Sequence, residues 1–272
     1  MNVNSLKILT HKLYLFYLHN VSLKRGKYRL GVLVHSLVGD ALYKVAGISL
    51  LLSPVCALDR QLIEGYGHDS YVADAILNAL KDGGNFIDIG AHFGYMSLLA
   101  AKLLKKKGRV FSFEPSPREY KKLIRHIEIN NFSNVKAFNQ GIAEHRKSYY
   151  LNISFLGNTG ANSRYSIERS IGRIQAEFLP IRDVLSSAEL ALVRCVKIDT
   201  EGDEISVLKG LENAMDLLYD ATFIVEISQD LLRVSGYQTQ DIYDFFSKYS
   251  FKPLDGKGPK DYSQYDEVFV PA

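Results

Sequence analysis

The chain has 272 residues, of which 47% are hydrophobic and 23% are charged, and its formal net charge is +3. This composition excludes intrinsic disorder, collagen-like repeats and a disulfide scaffold. The two cysteines, Cys56 and Cys195, have no partner Cys or His at metal-ligand spacing, which excludes a structural zinc site.

The first 39 residues contain six Lys or Arg residues and no Asp or Glu. Their apolar side chains recur at helical spacing at Leu6, Leu9, Leu13, Phe16 and Tyr17. This pattern is typical of an amphipathic helix that packs on the main domain or on a partner chain, and the alternative is a peripheral membrane contact through residues 1–39. We divide the chain into a basic, apolar N-terminal extension, residues 1–60, and a main domain, residues 61–272.

No apolar run reaches the roughly 20 residues that a membrane span requires. The longest uncharged apolar stretch, Val45–Leu58, is too short and contains Pro54. The run Leu13–Leu18 also lacks the cleavage-site pattern of a signal peptide. We therefore expect no transmembrane helix, no secretion signal and a cytoplasmic protein.

From residue 70 onward, predicted strands and helices alternate, which is typical of a parallel sheet with crossover helices. The predicted helices are Tyr71–Leu80, Tyr95–Leu104, Pro117–Asn130, Glu204–Leu211 and Thr239–Lys248. The predicted strands are Asn85–Ile89, Arg109–Glu114, Val135–Asn139, Leu192–Asp199, Ala221–Ile227 and a final antiparallel pair, Phe251–Leu254 and Asp266–Val270. The pattern predicts an α/β fold with a mostly parallel seven-stranded sheet and helices on both faces.

A glycine-containing turn, Asp88-Ile89-Gly90-Ala91-His92-Phe93-Gly94, joins the first strand of this sheet to the following helix. Ligands of open α/β sheets bind outside the carboxyl ends of the strands. A dinucleotide-binding turn carries glycine where Asp88 stands, because a carboxylate there repels a pyrophosphate. Asp88 instead favours a ligand with an ammonium group, such as S-adenosylmethionine. Glu114, at the tip of the next strand, is placed to accept hydrogen bonds from the ribose hydroxyls.

A second acidic motif, Lys197-Ile198-Asp199-Thr200-Glu201-Gly202-Asp203-Glu204, follows the fourth strand and continues into Val207-Leu208-Lys209-Gly210. With FIDIGAHFGY (86–95), FSFEPSP (111–117), Asn131, Asn134-Val135 and IVEI (224–227), it resembles the FkbM family of S-adenosylmethionine-dependent methyltransferases over residues 60–230.

The resemblance implies a Rossmann-like class I methyltransferase fold. It also implies O-methylation of a sugar, glycan or other small hydroxylated metabolite. This chain departs from the family at His92, where Asn is frequent, and before the fourth strand, where only Asp183 of an acidic pair is present.

We predict that the cofactor contacts the tips of the first strands and the loops that follow them. The predicted cofactor-binding residues are Asp88, Gly90, Ala91, His92, Gly94, Tyr95, Glu114, Pro115, Gln140 and Asp199. A hydroxyl acceptor must lose its proton, and a carboxylate with a raised pKa suits that task. The candidate bases are Asp199, Glu201 and, third, His92, which as an alternative donates to the methionine carboxylate or is a solvated loop residue.

The same carboxylates could instead hold Mg²⁺, which would bind the acceptor oxygens and ease their deprotonation. The sequence does not choose between a base and a metal, and we assign no metal ligand. Lys197 is expected to neutralise one neighbouring carboxylate.

We place acceptor specificity in the insert His145–Pro180, which contains a predicted hairpin at Ser148–Ser154 and a polar loop. The predicted acceptor-binding residues are Asn158, Asn162, Ser163 and, at the end of the fifth strand, Glu226. Four arginines of the insert and its end favour an anionic acceptor such as a nucleotide sugar: Arg164, Arg169, Arg173 and Arg182.

Two functions of other classes stay open. One is an RNA methyltransferase, although no RNA-binding signature is present and we expect no nucleic-acid partner. The other is a non-catalytic membrane-surface protein that retains the fold. The sequence also leaves homo-oligomerisation open.

Overall fold

The computed structural model describes residues 2–20, 27–65, 70–165 and 170–272. Within these ranges the α-helices are α1 (Val3–Asn20), α2 (Lys27–Val38), α3 (Ala57–Ile63), α4 (Ser70–Ala79), α5 (Tyr95–Leu104), α6 (Pro117–Asn130), α7 (Ser187–Ala191), α8 (Glu204–Leu211), α9 (Gln229–Ser235) and α10 (Thr239–Lys248). The strands are β1 (Ala41–Val45), β2 (Ile48–Leu52), β3 (Asn85–Ile89), β4 (Val110–Phe113), β5 (Val135–Phe138), β6 (Gly141–Ile142), β7 (Lys147–Ser154), β8 (Ser170–Leu179), β9 (Val193–Ile198), β10 (Thr222–Ser228), β11 (Phe251–Pro253) and β12 (Gln264–Pro271).

The main sheet of the described residues has seven strands in the order β11-β12-β10-β9-β3-β4-β5. All of them run parallel except β12, which is antiparallel to both of its neighbours. The predicted α/β architecture with a mostly parallel seven-stranded sheet is confirmed. β3 lies inside the sheet between β4 and β9, and all five of its residues are buried.

Helices cover both faces of this sheet because side chains alternate between the faces along each strand. Phe86 of β3 belongs to a core shared with α4 and α5. The next residue, Ile87, belongs to a second core shared with α8 and α10. Asp88 therefore lies on the same side of β3 as Phe86.

The register of the central strands brings their carboxyl ends to one level. Asp88 pairs with Ser112 of β4 and with Lys197 of β9, and Ile89 pairs with Ile198. The loops that follow β3, β4 and β9 therefore emerge side by side, and α5, α6 and α8 begin immediately beyond them.

The hairpin of β1 and β2 packs on the body of the protein. Ile48 and Leu50 share a core with Phe86. Asn130 of α6 accepts from the Ser49 amide at 2.8 Å and donates to the Ser49 carbonyl at 2.7 Å. The β1–β2 hairpin is therefore joined to the core of the sheet. The domain boundary at residue 60 stays a prediction.

The insert contributes β7 and β8 to a separate three-stranded sheet in the order β6-β8-β7, and β6 lies just before the insert. The predicted hairpin at Ser148–Ser154 is wrong, because that segment is a single strand, β7, whose antiparallel partner is β8. The partner strand begins 16 residues after the end of β7, so tertiary pairing and not a local turn sets this arrangement.

No helix among the described residues is both long enough and apolar enough to cross a lipid bilayer.

Candidate active site

The loops after β3, β4 and β9 surround a cavity of about 450 Å³. Thirteen of the predicted site residues line it: Asp88, Gly90, Ala91, His92, Gly94, Tyr95, Glu114, Pro115, Asn158, Asn162, Asp199, Glu201 and Glu226. Gln140 and Ser163 are not in its wall. The structure therefore gathers most of the predicted residues, and their individual roles stay predictions.

Asp88 is buried in the cavity wall, with only 1% of its surface exposed. The hydroxyl of Ser97, on α5, donates to its Oδ2 at 2.5 Å. Its Oδ1 is buried and has no hydrogen-bond partner among the described residues. Burial raises the pKa of Asp88, and the nearby charge of Lys197 opposes that rise. Asp88 thus offers one unpaired oxygen to a cationic or donor group in the cavity.

Glu114 holds the two loops beside it. Its Oε2 accepts from the His92 amide at 2.8 Å, and its Oε1 accepts from the Ser116 amide at 2.8 Å. Burial raises its pKa to about 7. Each oxygen keeps a second lone pair, so hydrogen bonds to ribose hydroxyls remain compatible with these two contacts.

Gly90 allows the loop after β3 to approach the loop after β9 closely. Its φ of +82° lies in the left-handed region, and a Cβ there would stand 1.7 Å from the carbonyl oxygen of Asp199. Any side chain would therefore push the Asp199 loop away from the cavity.

Three carboxylates converge beside this contact. Oxygen atoms of Asp199, Glu201 and Glu226 lie within 4.8 Å of one another. The ammonium of Lys197 lies 2.7 Å from Asp199 Oδ2, and Gln264 donates to Glu226 Oε1 at 2.7 Å. We call these three carboxylates the acidic cluster.

Burial and mutual repulsion keep protons on this cluster. They raise the pKa of Glu201 to about 8 and the pKa of Glu226 well above its usual range. In its ionised form such a carboxylate can take a proton from a hydroxyl, and a pKa of about 8 makes it a stronger base than an ordinary carboxylate. Three oxygen ligands also suit a divalent cation such as Mg²⁺, so the donor set fits both alternatives that the sequence left open.

The backbone at Glu201 is held in a strained conformation, with φ at +54°. The Ser163 hydroxyl donates to the Glu201 carbonyl at 2.7 Å. Glu204 Oε1 accepts from the amides of Thr200 at 3.2 Å and Gly202 at 3.1 Å. Ser163, predicted to bind the acceptor, is buried and instead supports the Glu201 loop.

The imidazole of His92 is engaged in the cavity wall. Its Nε2 lies 3.0 Å from Thr159 Oγ1 and 3.3 Å from Glu119 Oε2. Burial alone would raise the pKa of Glu119, but the hydrogen bond and charge of His92, together with Arg118, lower it to about 2. The imidazole therefore joins the loop after β3 to the insert and to α6. The alternative that His92 is a solvated loop residue is wrong.

The remaining predicted residues turn away from the cavity. Gln140 donates to Glu177 Oε2 at 2.6 Å. Arg164 donates from Nε to Asp203 Oδ1 at 2.6 Å, and Arg182 donates to Asp216 Oδ1 at 2.8 Å. Of the other two arginines, Arg173 donates to Asn152 at 3.0 Å, and Arg169 lies outside the described residues. None of the three described arginines lines the cavity.

Sequence reasoning missed Gln264, Thr159 and Glu119. Gln264 reaches the cavity because β12 inserts beside β10, where Gln264 pairs with Ser228. Thr159 and Glu119 contact the imidazole of His92. They lie 67 and 27 positions after His92 in the chain, and no local sequence pattern indicates partners at such separations.

A doubly covered, mostly parallel sheet with a polar cavity at its strand ends has the cavity where open α/β folds bind their ligands. The profile of the methyltransferase FkbM domain matches residues 88–253, more than half of the chain. The chain therefore belongs to the FkbM methyltransferase family, and the predicted family resemblance is confirmed.

Two relatives illustrate this membership. "Methyltransferase 1" of Beauveria bassiana is 25% identical over 145 residues, an alignment that covers 47% of this chain and 58% of the relative. The crystal structure of methyltransferase FkbM from Methylobacillus flagellatus is 16% identical, with a TM-score of 0.43, and the match covers 70% of this chain and 44% of that one. This chain thus spans less than two thirds of the length of either relative.

A second similar structure is that of a Streptococcus pneumoniae protein assigned as a tRNA (m1A22) methyltransferase, solved in complex with S-adenosyl-L-methionine. It is 10% identical, with a TM-score of 0.44, and the match covers 75% of this chain and 72% of that one.

Proposed function

We propose that this protein is an S-adenosylmethionine-dependent O-methyltransferase that acts on a hydroxyl of a sugar, glycan or other small hydroxylated metabolite. The observation that carries the proposal is one cavity whose wall holds two acidic features. One is the buried, unpaired oxygen of Asp88, and the other is the acidic cluster of Asp199, Glu201 and Glu226.

Asp88 and Glu114 suit the cofactor. The ammonium of S-adenosylmethionine would occupy the free Oδ1 of Asp88, and the ribose hydroxyls would donate to Glu114. The cofactor supplies the methyl group on its sulfonium, and the protein supplies binding, orientation and electrostatics. The cavity volume of about 450 Å³ lies within the usual range for such ligand sites.

The acidic cluster suits the acceptor hydroxyl. Its oxygen must lie in line with the bond between sulfur and methyl carbon, and such orientation contributes about 7–11 kcal/mol in well-aligned systems. Glu201 is the proposed base, because its pKa of about 8 lies close to neutral pH. Asp199 is already paired with Lys197, so its proposed role is to orient the hydroxyl.

The same three carboxylates would hold Mg²⁺ if the reaction uses a metal. The ion would polarise the acceptor oxygen and lower the pKa of its hydroxyl.

The cavity wall favours a neutral acceptor over a phosphate-bearing one. Five carboxylates described above line it, and the amides of Asn158 and Asn162 supply donors and acceptors for a polyol. Arg164, Arg173 and Arg182 stay paired elsewhere, so none of them offers a cation to an acceptor phosphate in the cavity.

The test is a methyl-transfer screen with labelled S-adenosylmethionine against sugars, glycans, nucleotide sugars and RNA. For an active acceptor, Glu201→Gln should lower kcat by about 10²–10⁴-fold, the usual size of general-base catalysis, while cofactor affinity is retained. Asp199→Asn should also lower kcat, because the hydroxyl loses the group that orients it. Glu144→Gln, which changes an exposed carboxylate outside the cavity, is the matched control. Full turnover in Glu201→Gln would overturn the assignment of the base, and transfer to RNA alone would overturn the assignment of the acceptor.

A further inference from the structure

Helix α1 is apolar on both of its sides. On the side that faces the protein it buries His11, Tyr14 and Leu15. On the other side it exposes large apolar side chains along its whole length: Val3, Leu6, Leu9, Leu13 and Phe16. A helix that is packed on a protein along one face normally presents charged and polar residues to water on the opposite face.

The second helix repeats this feature. Helix α2 exposes Val32, Leu33 and Leu37. Eight of the seventeen large apolar side chains that are exposed among the described residues thus belong to α1 and α2. We call these eight side chains the outer face. Apolar residues scattered singly over a surface need no explanation, but a concentration of this kind marks an interaction site.

The inner contacts of α1 keep the outer face turned away from the protein. Asn4 accepts from the Leu42 amide at 2.7 Å and donates to the Leu42 carbonyl at 3.1 Å. The ring nitrogens of His11 lie 3.0 Å from the Tyr43 hydroxyl and 3.0 Å from the Gly39 carbonyl. These contacts attach α1 to the β1–β2 hairpin, so α1 cannot rotate to bury its exposed leucines without breaking them.

Basic residues lie on the same two helices as the outer face. Residues 1–39 contain six Lys or Arg residues and no Asp or Glu. Lys12 on α1 and Arg29 on α2 are exposed. Basic side chains beside an apolar helical face are the features by which a helix lies in the headgroup region of an anionic bilayer.

We propose that the outer face of α1 and α2 docks on the surface of a membrane that contains anionic lipids. The apolar side chains would enter the boundary between headgroups and acyl chains, and Lys12 and Arg29 would contact the lipid phosphates. The charge argues against a second copy of this chain as the occupant. A two-fold interface sets the same patch against itself, so it would oppose two surfaces of like charge.

The experiment is vesicle co-sedimentation of the full chain. One set of vesicles is phosphatidylcholine alone, and the other contains equal amounts of phosphatidylcholine and phosphatidylserine. We expect binding to the mixed vesicles and about fivefold weaker binding for each of Lys12→Gln and Arg29→Gln, following the usual worth of one basic residue near an anionic surface. The double variant Leu13→Gln/Phe16→Gln should lose about tenfold or more, because two apolar side chains no longer enter the bilayer.

Leu254→Gln/Tyr262→Gln is the matched control, since these side chains are exposed by 59% and 64%, close to the 63% and 66% of Leu13 and Phe16. It should bind as the parent chain does. Unchanged melting temperatures would show that all variants fold. Failure of the parent chain to bind mixed vesicles would overturn the proposal, as would equal binding by Leu13→Gln/Phe16→Gln. So would sedimentation as a dimer that this double variant converts to a monomer.

Discussion

Replacing Asp88 by Asn tests the centre of the cofactor hypothesis and needs no knowledge of the acceptor. Asp88 Oδ2 already accepts from Ser97, and Asn can preserve that contact because its carbonyl oxygen is also an acceptor. What disappears is the negative charge beside the unpaired Oδ1. The ammonium of S-adenosylmethionine would then lose a charge-assisted hydrogen bond.

The expected loss follows from the burial of that oxygen. A hydrogen bond to a charged group contributes about 1.5–3 kcal/mol. That range corresponds to an increase of about ten- to a hundredfold in Kd for S-adenosylmethionine. Methylthioadenosine carries the nucleoside but not the ammonium, so its Kd should be the same for the parent chain and for Asp88→Asn.

Isothermal titration calorimetry measures both affinities. Asp82→Asn is the control, because Asp82 is exposed and precedes β3, at the opposite end of the strand from Asp88. If Asp88→Asn binds S-adenosylmethionine as tightly as the parent chain does, Asp88 does not hold the ammonium. Equal losses for S-adenosylmethionine and methylthioadenosine would also refute the reasoning, because they would indicate a general change in the cavity.

Three further predictions follow from the same geometry. Glu114→Gln should weaken S-adenosylmethionine and methylthioadenosine alike, by about tenfold, because both carry the ribose that Glu114 is proposed to bind; calorimetry showing no change in either would contradict that role. Gln140→Ala should leave the Kd of S-adenosylmethionine unchanged, since the Gln140 amide donates to Glu177, and a tenfold loss would instead support the predicted role of Gln140 in cofactor binding. Stability should fall as the pH rises: burial raises the pKa of Glu204 from 4.5 to about 7 and that of Glu201 to about 8, so the folded state holds more protons than the unfolded state between pH 4.5 and about 8. Urea unfolding should show the highest free energy of unfolding near pH 4.5, a decline of a few kcal/mol towards pH 8, and a shallower decline in Glu204→Gln; a flat profile in the parent chain would show that these carboxyl groups are not perturbed.

Much of the main sheet was predictable because its signals are local. The apolar strand Asn85–Ile89 and the glycine-containing turn after it lie within ten consecutive residues, and the structure keeps both. The parallel arrangement then places the carboxyl ends of β3 and β4 at one edge of the sheet. Asp88 and Glu114 therefore line the same cavity, as their positions in the sequence predicted.

Tertiary structure alone decided which side chains meet across that cavity. Glu226 joins Asp199 and Glu201 because β10 lies beside β9, and Gln264 joins them because β12 enters the sheet antiparallel to β10. Gln140, by contrast, lies near the end of a sheet strand as predicted but is bonded to Glu177, a residue of β8.

The physical reason is the range over which each determinant acts. Periodicity and turn chemistry depend on neighbours within a few residues, so the sequence by itself determined the strands of the seven-stranded sheet, several of its helices and the acidic strand tips. The partner of a polar side chain depends on strand order and on which buried groups compete for its hydrogen bonds. Those depend on contacts between distant residues, such as Ser163 with Glu201 and Arg164 with Asp203, and only the folded chain brings them together.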